Sequence, residues 1–304
     1  MKTIVPAYYA AFRCIAGCCR HNCCIGWEIG IDDSTAAYYR SVSGEFGKRL
    51  QANIRSSQDG CAFHTNEHGR CAFLNRDGLC DIHLTLGEEA LCQICTDHPR
   101  FRNLFSDREE IGLGLCCEEA ARLILTSDSD ELTVREDDGI SVPLWEDEAA
   151  LLSTRDTLFA IARDSSQTVC EREQALLTFA HARSLGGEQL YALFEPLERL
   201  EADWDEALSL LPCAPDREPP DELKTAFSRL FVYFLYRHLP DALEDDRLSQ
   251  RIAFAVHSVR VLRLLCAASG NTLEVLCDLA RRYSAEVEYS EENPDILLNA
   301  FDVV

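Results

Sequence analysis

Five cysteines fall within eleven residues: Cys14, Cys18, Cys19, Cys23 and Cys24. No other stretch restricts the possible folds as much. A buried free cysteine packs as a small hydrophobe, a part many residues can play, so packing does not call for adjacent cysteines. A disulfide framework does, and so does thiolate ligation of a metal or cluster. Cys61, Cys71, Cys80, Cys92, Cys95, Cys116 and Cys117 follow, so twelve of the sixteen cysteines lie in the first 117 residues. A chain of 304 residues can build a full core and does not need disulfides as staples. From Met1 to Cys14 there is one Lys, one Arg and no apolar run of signal-peptide length. No stretch approaches the ~18 apolar residues of a membrane span. The expectation is a cytoplasmic protein without a membrane partner, whose reduced cysteines serve a metal or catalysis.

Charge is spread unevenly. Residues 1–125 carry 13 Lys/Arg against 16 Asp/Glu, and residues 126–304 carry 16 against 36. An acidic second half argues against nucleic acid as a partner. It would favour a basic substrate such as a lysine-bearing surface, although solubility alone also accounts for it.

Along the chain, Trp27 to Ile31 alternates polar and apolar residues as a short strand does. Asp32, Asp33 and Ser34 are capping residues, and Thr35 to Ile54 reads as one helix weakened by Gly44 and Gly47. Ser56 to Gly60 is a polar loop. Asp77-Gly78 between short apolar pieces predicts a small hairpin carrying Cys71 and Cys80. A helix starting near Gly87 places Cys92 and Cys95 on one turn and ends at His98-Pro99. Ile111 to Leu115 reads as extended, and Glu118 to Leu125 as a helix. Thr126 to Val142 reads as a junction with a hairpin tip at Asp137-Asp138-Gly139. Helical periodicity then predicts helices near 146–163, 168–184, 187–202, 221–238, 247–268 and 272–288. Pro212 to Pro220 reads as a linker. The chain is therefore expected to be mainly α: a cysteine-rich α+β portion over 1–125 holding a metal centre, then an acidic α-helical bundle over 126–304.

Zinc takes four N/S ligands, usually as two close pairs, and Cys92-x2-Cys95 and Cys19-x3-Cys23 are such pairs. An iron–sulfur cluster also takes four thiolates, so spacing does not choose between the two. A zinc- or iron-chelating structural protein therefore stands beside any enzyme reading. His64, His68, His83 and His98 lie near the cysteines but read first as surface or hydrogen-bonded residues. Cys170, Cys213, Cys266 and Cys277 read as core. No Gly-rich nucleotide fingerprint is present. Cys14-x3-Cys18 would need a third cysteine at His21 to make the radical-enzyme spacing, so no radical mechanism is expected.

Phe12-Arg-Cys14 through Cys23-Cys24-Ile-Gly-Trp27, with Ile29-Gly-Ile31-Asp32, resembles the opening of the bacterial flagellin lysine-N-methylases. The pieces Cys71-Ala-Phe-Leu74, Gly78-Leu-Cys80, Leu86-Gly-Glu88 and Leu91-Cys92 with Cys95 resemble their second block. Cys117-Glu-Glu-Ala-Ala-Arg122 resembles their third. Tyr233 to Arg237 and Tyr283 to Glu288 are similar near the helical end. The resemblance implies methyl transfer from S-adenosylmethionine to flagellin lysines, with a four-iron four-sulfur cluster needed for activity. It also implies a ligand set drawn from Cys14, Cys19, Cys23, Cys24, Cys71, Cys80, Cys92, Cys95 and Cys117. Cys18, Cys61 and Cys116 fall outside the pattern. The expected centre takes one pair from Cys14–Cys24 and one from Cys71–Cys95. Methyl transfer needs a neutral lysine amine, and Tyr8, Tyr9 and Glu28 are candidates to take the proton.

Overall fold

The computed structural model describes residues 1–57, 60–137, 139, 142–200 and 202–301. Gln58 and Asp59 of the expected polar loop, and Asp138 of the expected hairpin tip, lie outside the described residues. The chain forms two compact units, one of Arg13–Pro99 and one of Met1–Phe12 with Arg100 onward. These bounds differ from the expected 1–125 and 126–304.

Strand β1 (Lys2–Pro6) opens the chain and belongs to the larger unit. The smaller unit then adds β2 (Gly30–Ile31), α1 (Asp33–Ser41), α2 (Gly44–Ala52), β3 (Ile54–Ser57), β4 (Gly60–Phe63), α3 (Asp81–Leu86) and α4 (Gln93–Asp97). Strand β4 lies between β2 and β3, antiparallel to both. The single helix expected over Thr35–Ile54 is broken. Val42 and Ser43 are extended, and Gly44 takes a positive φ of 82° at the start of α2. Gly47 has a second reason to be glycine, because a Cβ there would collide with the Val42 carbonyl oxygen. Residues 71–80 form a looped turn with one bridge, Leu74 to Cys80, in place of the expected hairpin. The core of this unit is small: Ile29, Ile31, Tyr39, Leu50, Phe63, Phe73 and Ile82 pack with Cys71 and Cys92.

The larger unit continues with β5 (Arg100–Leu104), β6 (Arg108–Leu113), α5 (Glu118–Thr126) and β7 (Leu132–Asp137). Its sheet runs β5-β6-β1-β7, with β1 parallel to β6 and antiparallel to β7. Strand β7 occupies the stretch expected as a junction. Pairing of β1 with strands more than a hundred residues away ties the amino terminus and β7 into one sheet, so a division at residue 125 would cut it.

Helices follow: α6 (Glu146–Arg163), α7 (Val169–Phe179), α8 (Gly187–Phe194), α9 (Ala202–Leu208), α10 (Asp221–His238), α11 (Ala242–Asp245), α12 (Leu248–Ala268), α13 (Leu273–Tyr283) and α14 (Asn293–Ala300). The chain is mainly α, as the helical periodicity predicts. Helices α6 and α10 keep their expected bounds. The helix expected over 187–202 ends at Phe194, where Arg199 takes up the Phe194, Glu195 and Leu197 carbonyls. Helix α10 packs against α5, α6 and α12. Its Leu230, Phe231, Phe234 and Leu235 are fully buried beside Ile252, Val256, Val259 and Leu262 of α12. Buried ion pairs include Arg155 with Glu110 at 2.6 and 2.8 Å, and Arg263 with Glu173 at 2.9 Å twice. Among the described residues no helix is long and apolar enough to cross a membrane.

Candidate metal centre

Within the smaller unit most cysteines and their flanks fall into three blocks of its own, Cys14–Asp32, Cys71–Cys80 and Cys92–Cys95, held together by polar side chains between them. In the first block, Asn22 accepts the Cys24 N–H at 2.9 Å and donates to the Gly78 carbonyl at 2.9 Å. The Cys71 N–H donates to the Cys24 carbonyl at 2.9 Å, and Gly26 to Gly69 at 3.1 Å. The backbone of Cys23–Gly26 is thereby fastened to the loop that starts the second block. That loop is shaped by Asn75, whose Oδ1 accepts from the Asp77 and Leu79 amides at 3.0 Å each. Its Nδ2 donates to Asp81 at 3.1 Å. Arg49 of α2 pairs with Asp81 at 2.7 Å, donates to the Ala72 carbonyl at 2.9 Å and lies over the Phe73 ring. Loop 71–80 therefore has both a polar and an aromatic anchor.

The third block begins at Cys92, which stands at the N-cap position of α4 without a side-chain capping bond and is buried. Asp32 joins it to the first block. One oxygen of Asp32 accepts the Thr35 N–H at 2.9 Å and caps α1, while the other accepts the Gln93 N–H at 2.9 Å. These bonds, with Ser34, hold the Asp32 carboxyl well below the usual range. Tyr39 of α1 adds a second tie by donating to the Ala90 carbonyl at 2.7 Å.

The result is a convergence of thiols. Cys71 and Cys92 belong to the small core, and Cys24, Cys80 and Cys95 pack against it. The Cys92 and Cys95 sulfurs lie 3.4 Å apart. A charge on Cys80 or Cys71 would oppose ionisation of Cys24, and one on Cys92, Cys24 or Cys80 would oppose that of Cys95. Burial pushes Cys71 and Cys80 up. Within the two close pairs the proton is shared unequally. The hydrogen bond with Cys24 lowers Cys23 to about 7, and the bond with Cys95 lowers Cys92, while Cys24 and Cys95 are raised. Buried thiols held close together can all ionise only if a cation neutralises them.

The expected ligands therefore divide. Cys24, Cys71, Cys80, Cys92 and Cys95 come together, with Cys23 beside Cys24. Cys14 is exposed and Cys19 donates to the His21 carbonyl at 3.0 Å, so neither joins the packed thiols. Cys117 belongs to the larger unit, at the start of α5. Of the residues outside the family pattern, Cys18 is exposed, Cys61 lies 3.3 Å from the Ser56 hydroxyl, and Cys116 is in the larger unit. His64, His68 and His83 are exposed. Tyr8 and Tyr9 are buried in the larger core, and Glu28 pairs with Arg55, so none is placed as a free base. Cys213 is exposed, unlike the expected core residue, whereas Cys266 is fully buried.

Among the described residues no three His, Cys, Asp or Glu side chains form a ready site for one ion. A tetrahedral zinc with Zn–S near 2.3 Å requires sulfurs about 3.8 Å apart, and the Cys92–Cys95 pair at 3.4 Å is close to that. An all-thiol donor set in apolar surroundings nevertheless fits the soft-ligand chemistry of iron–sulfur clusters as well as zinc. S-adenosylmethionine is not matched to a cavity by its lining. An open cavity of about 390 Å³ is lined by Tyr191, Glu195, Arg199, Asp205 and Leu208, with Arg199 already paired to Asp205 at 2.6 Å. No residue is assigned to that cofactor. Sequence reasoning treated Asp32 only as a local cap and passed over Asn22, Asn75 and Arg49. An Asx-turn residue within each of the first two cysteine blocks was the available signal for Asn22 and Asn75.

Fold and site together define a mainly helical protein with a thiol cluster in a small α+β module. The lysine-N-methylases of Salmonella typhimurium and Salmonella choleraesuis are each 30% identical to the chain over 139 residues. The match covers 43% of this chain and 34% of either relative, so it spans about a third of their length. The flagellar biosynthetic protein FliU of Salmonella muenchen is 31% identical over 137 residues, 43% of this chain and 80% of that protein. The chain belongs to the lysine-N-methylase family. No family model matches it, and no solved structure matches it.

Proposed function

We propose that the protein methylates lysine side chains of flagellin using S-adenosylmethionine, and that it needs an iron–sulfur cluster held by cysteines of its smaller unit. The observation that carries this reading is the convergence of Cys24, Cys71, Cys80, Cys92 and Cys95 in a member of the lysine-N-methylase family. The four ligands of a four-iron four-sulfur cluster would be drawn from those five. Their burial favours the neutral thiols without a metal, so loading would release protons and draw the three blocks together. Asp32, Asn22 and Arg49 would act by fixing the backbone from which the thiols project. When bound, S-adenosylmethionine supplies the methyl group. The chain must in turn present a lysine that has lost its proton, and burial of the amine is the general means.

Anaerobic purification with iron, zinc and acid-labile sulfide analysis is the first test, followed by intact-mass analysis of flagellin incubated with S-adenosylmethionine. Iron with equal sulfide, and flagellin gaining whole methyl increments, are expected. Zinc without sulfide, with flagellin unchanged, would favour a zinc-binding structural protein. The short Cys92–Cys95 separation is the observation on that side.

A further inference from the structure

One carboxylate of the larger unit is held by three side chains of α10. Beyond α13 the chain widens into a π turn, Ser284–Glu288, a form frequent at functional sites. The Glu288 side chain has no exposed surface. It accepts from Tyr233 Oη at 2.9 Å and from His238 Nε2 at 2.6 Å, and is ion-paired with Arg237 Nε at 3.2 Å; Arg237 Nη1 donates to Tyr233 Oη at 3.1 Å. Burial raises the Glu288 carboxyl, but Arg237 and His238 outweigh burial and keep it ionised. An ionised carboxylate only accepts, so His238 is the donor. The Arg237 guanidinium also lies between two rings, 5.0 Å from the Phe101 centroid and 4.9 Å from that of Tyr289. Tyr289 is 42% exposed and the Arg237 side chain 12%. Glu288 is thus the floor of the cluster, with Tyr289 at its rim.

Aromatic faces around a buried carboxylate are the parts with which proteins receive organic cations. Here an arginine of the same chain fills that place. Its departure would leave the carboxylate hydrogen-bonded by Tyr233 and His238 but without a counter-charge, which an incoming cation would supply. Tyr233 Oη is itself fixed by the Leu115 N–H at 3.1 Å. Arg237 stands in the last turn of α10 on a long, rotatable stem, and its freed guanidinium would be hydrated. We propose that Phe101, Tyr289 and Glu288 form a receptor for an organic cation, which Arg237 fills in the absence of ligand, and that the ligand is the alkylammonium side chain of a substrate lysine. The choice of lysine rests on the methylase reading, whereas the receptor rests on the geometry. Its role is recognition. Glu288 favours the charged amine, so the proton loss required for methyl transfer belongs to another group.

Arg237→Ala vacates the receptor. Calorimetric titration of the full-length variant with n-butylammonium is expected to show saturable binding about tenfold tighter than in the wild type. Adding Tyr289→Leu should abolish that gain. In the wild-type background, Tyr289→Leu alone alters an exposed residue and should weaken N-acetyl-lysine-amide binding about fivefold. Arg237→Ala with native circular dichroism but no gain in n-butylammonium affinity would reduce the cluster to an internal ion pair. Should Arg237→Ala not fold, unchanged lysine-amide affinity in Tyr289→Leu would overturn the receptor equally. Binding as expected without any methylation of flagellin would leave the receptor standing and remove the methylase reading.

Discussion

Cys92 combines more of the centre's requirements than any other single residue. It is buried, stands at the N-cap position of α4, lies 3.4 Å from the Cys95 sulfur, and takes the thiolate share of that pair. Cys92→Ser is expected to lower iron content and the visible absorbance of the anaerobic protein to background. Cys14→Ser, at an exposed position apart from the packed thiols, should leave both largely intact. Cys277→Ser on α13 should cost only about 1–3 kcal/mol and no metal. Equal loss of iron in all three folded variants would refute the division of the cysteines. A different residue contributes to acid sensitivity. Burial, with Arg260 next in weight, lowers His257 from its ordinary value to about 4. Unfolding therefore takes up a proton at this site between about pH 6.5 and pH 4. The native state should be fully favoured above pH 6.5 and lose on the order of 3 kcal/mol as the pH falls through that window. His257→Phe, which keeps a ring against Phe301, should flatten that part of the profile in urea unfolding at pH 7 and pH 5.

At the scale of elements, Asp32 is where capping and metal chemistry meet. Asp32→Ala removes the Thr35 cap and the tie to Gln93 together, at about 1–2 kcal/mol for the cap alone. It should broaden the cluster spectrum and speed iron loss to a chelator. Asp32→Asn retains acceptor oxygen and should behave close to wild type. A chelation rate unchanged by Asp32→Ala would show that α1 and α4 are aligned without it. Asp32 also shows what the sequence makes legible. Its cap on α1 follows from local order, but its bond to Gln93 spans 61 residues and leaves no local signature. Helices α6 and α10 could be read to their ends because a continuous apolar face and acidic first turns lie within each. The break at Val42–Gly44 was visible only as two glycines, whose necessity comes from the positive φ at Gly44 and the approach of the Val42 carbonyl to Gly47. Strand β1 carried no signal of its partners, since its register with β6 and β7 exists only once the sheet closes. The cysteine blocks were legible as a metal site. The subset that converges was not, because convergence is set by Asn22 and Asp32 acting across blocks, with Asn75 and Arg49 shaping loop 71–80.

At the scale of the whole chain the two units differ most in how much apolar surface they bury. Among the described residues the smaller core has eleven buried members, two of them cysteines that belong to the thiol cluster. The larger core runs from β1 through α5, α6, α10, α12 and α13. A core as small as the first stabilises a fold only marginally, and such modules commonly rely on metal or disulfides. Metal binding should therefore be coupled to folding in residues 13–99 and nearly uncoupled elsewhere. Hydrogen exchange followed by mass spectrometry on loaded and chelator-stripped protein tests this directly. Stripping should release protection across α1, α2 and loop 71–80 while α10 and α12 exchange as before. Protection that falls equally in α12 would mean the larger unit also depends on the metal. Protection unchanged throughout would mean that the small core, with Arg49, Asp81 and Asp32, is sufficient on its own.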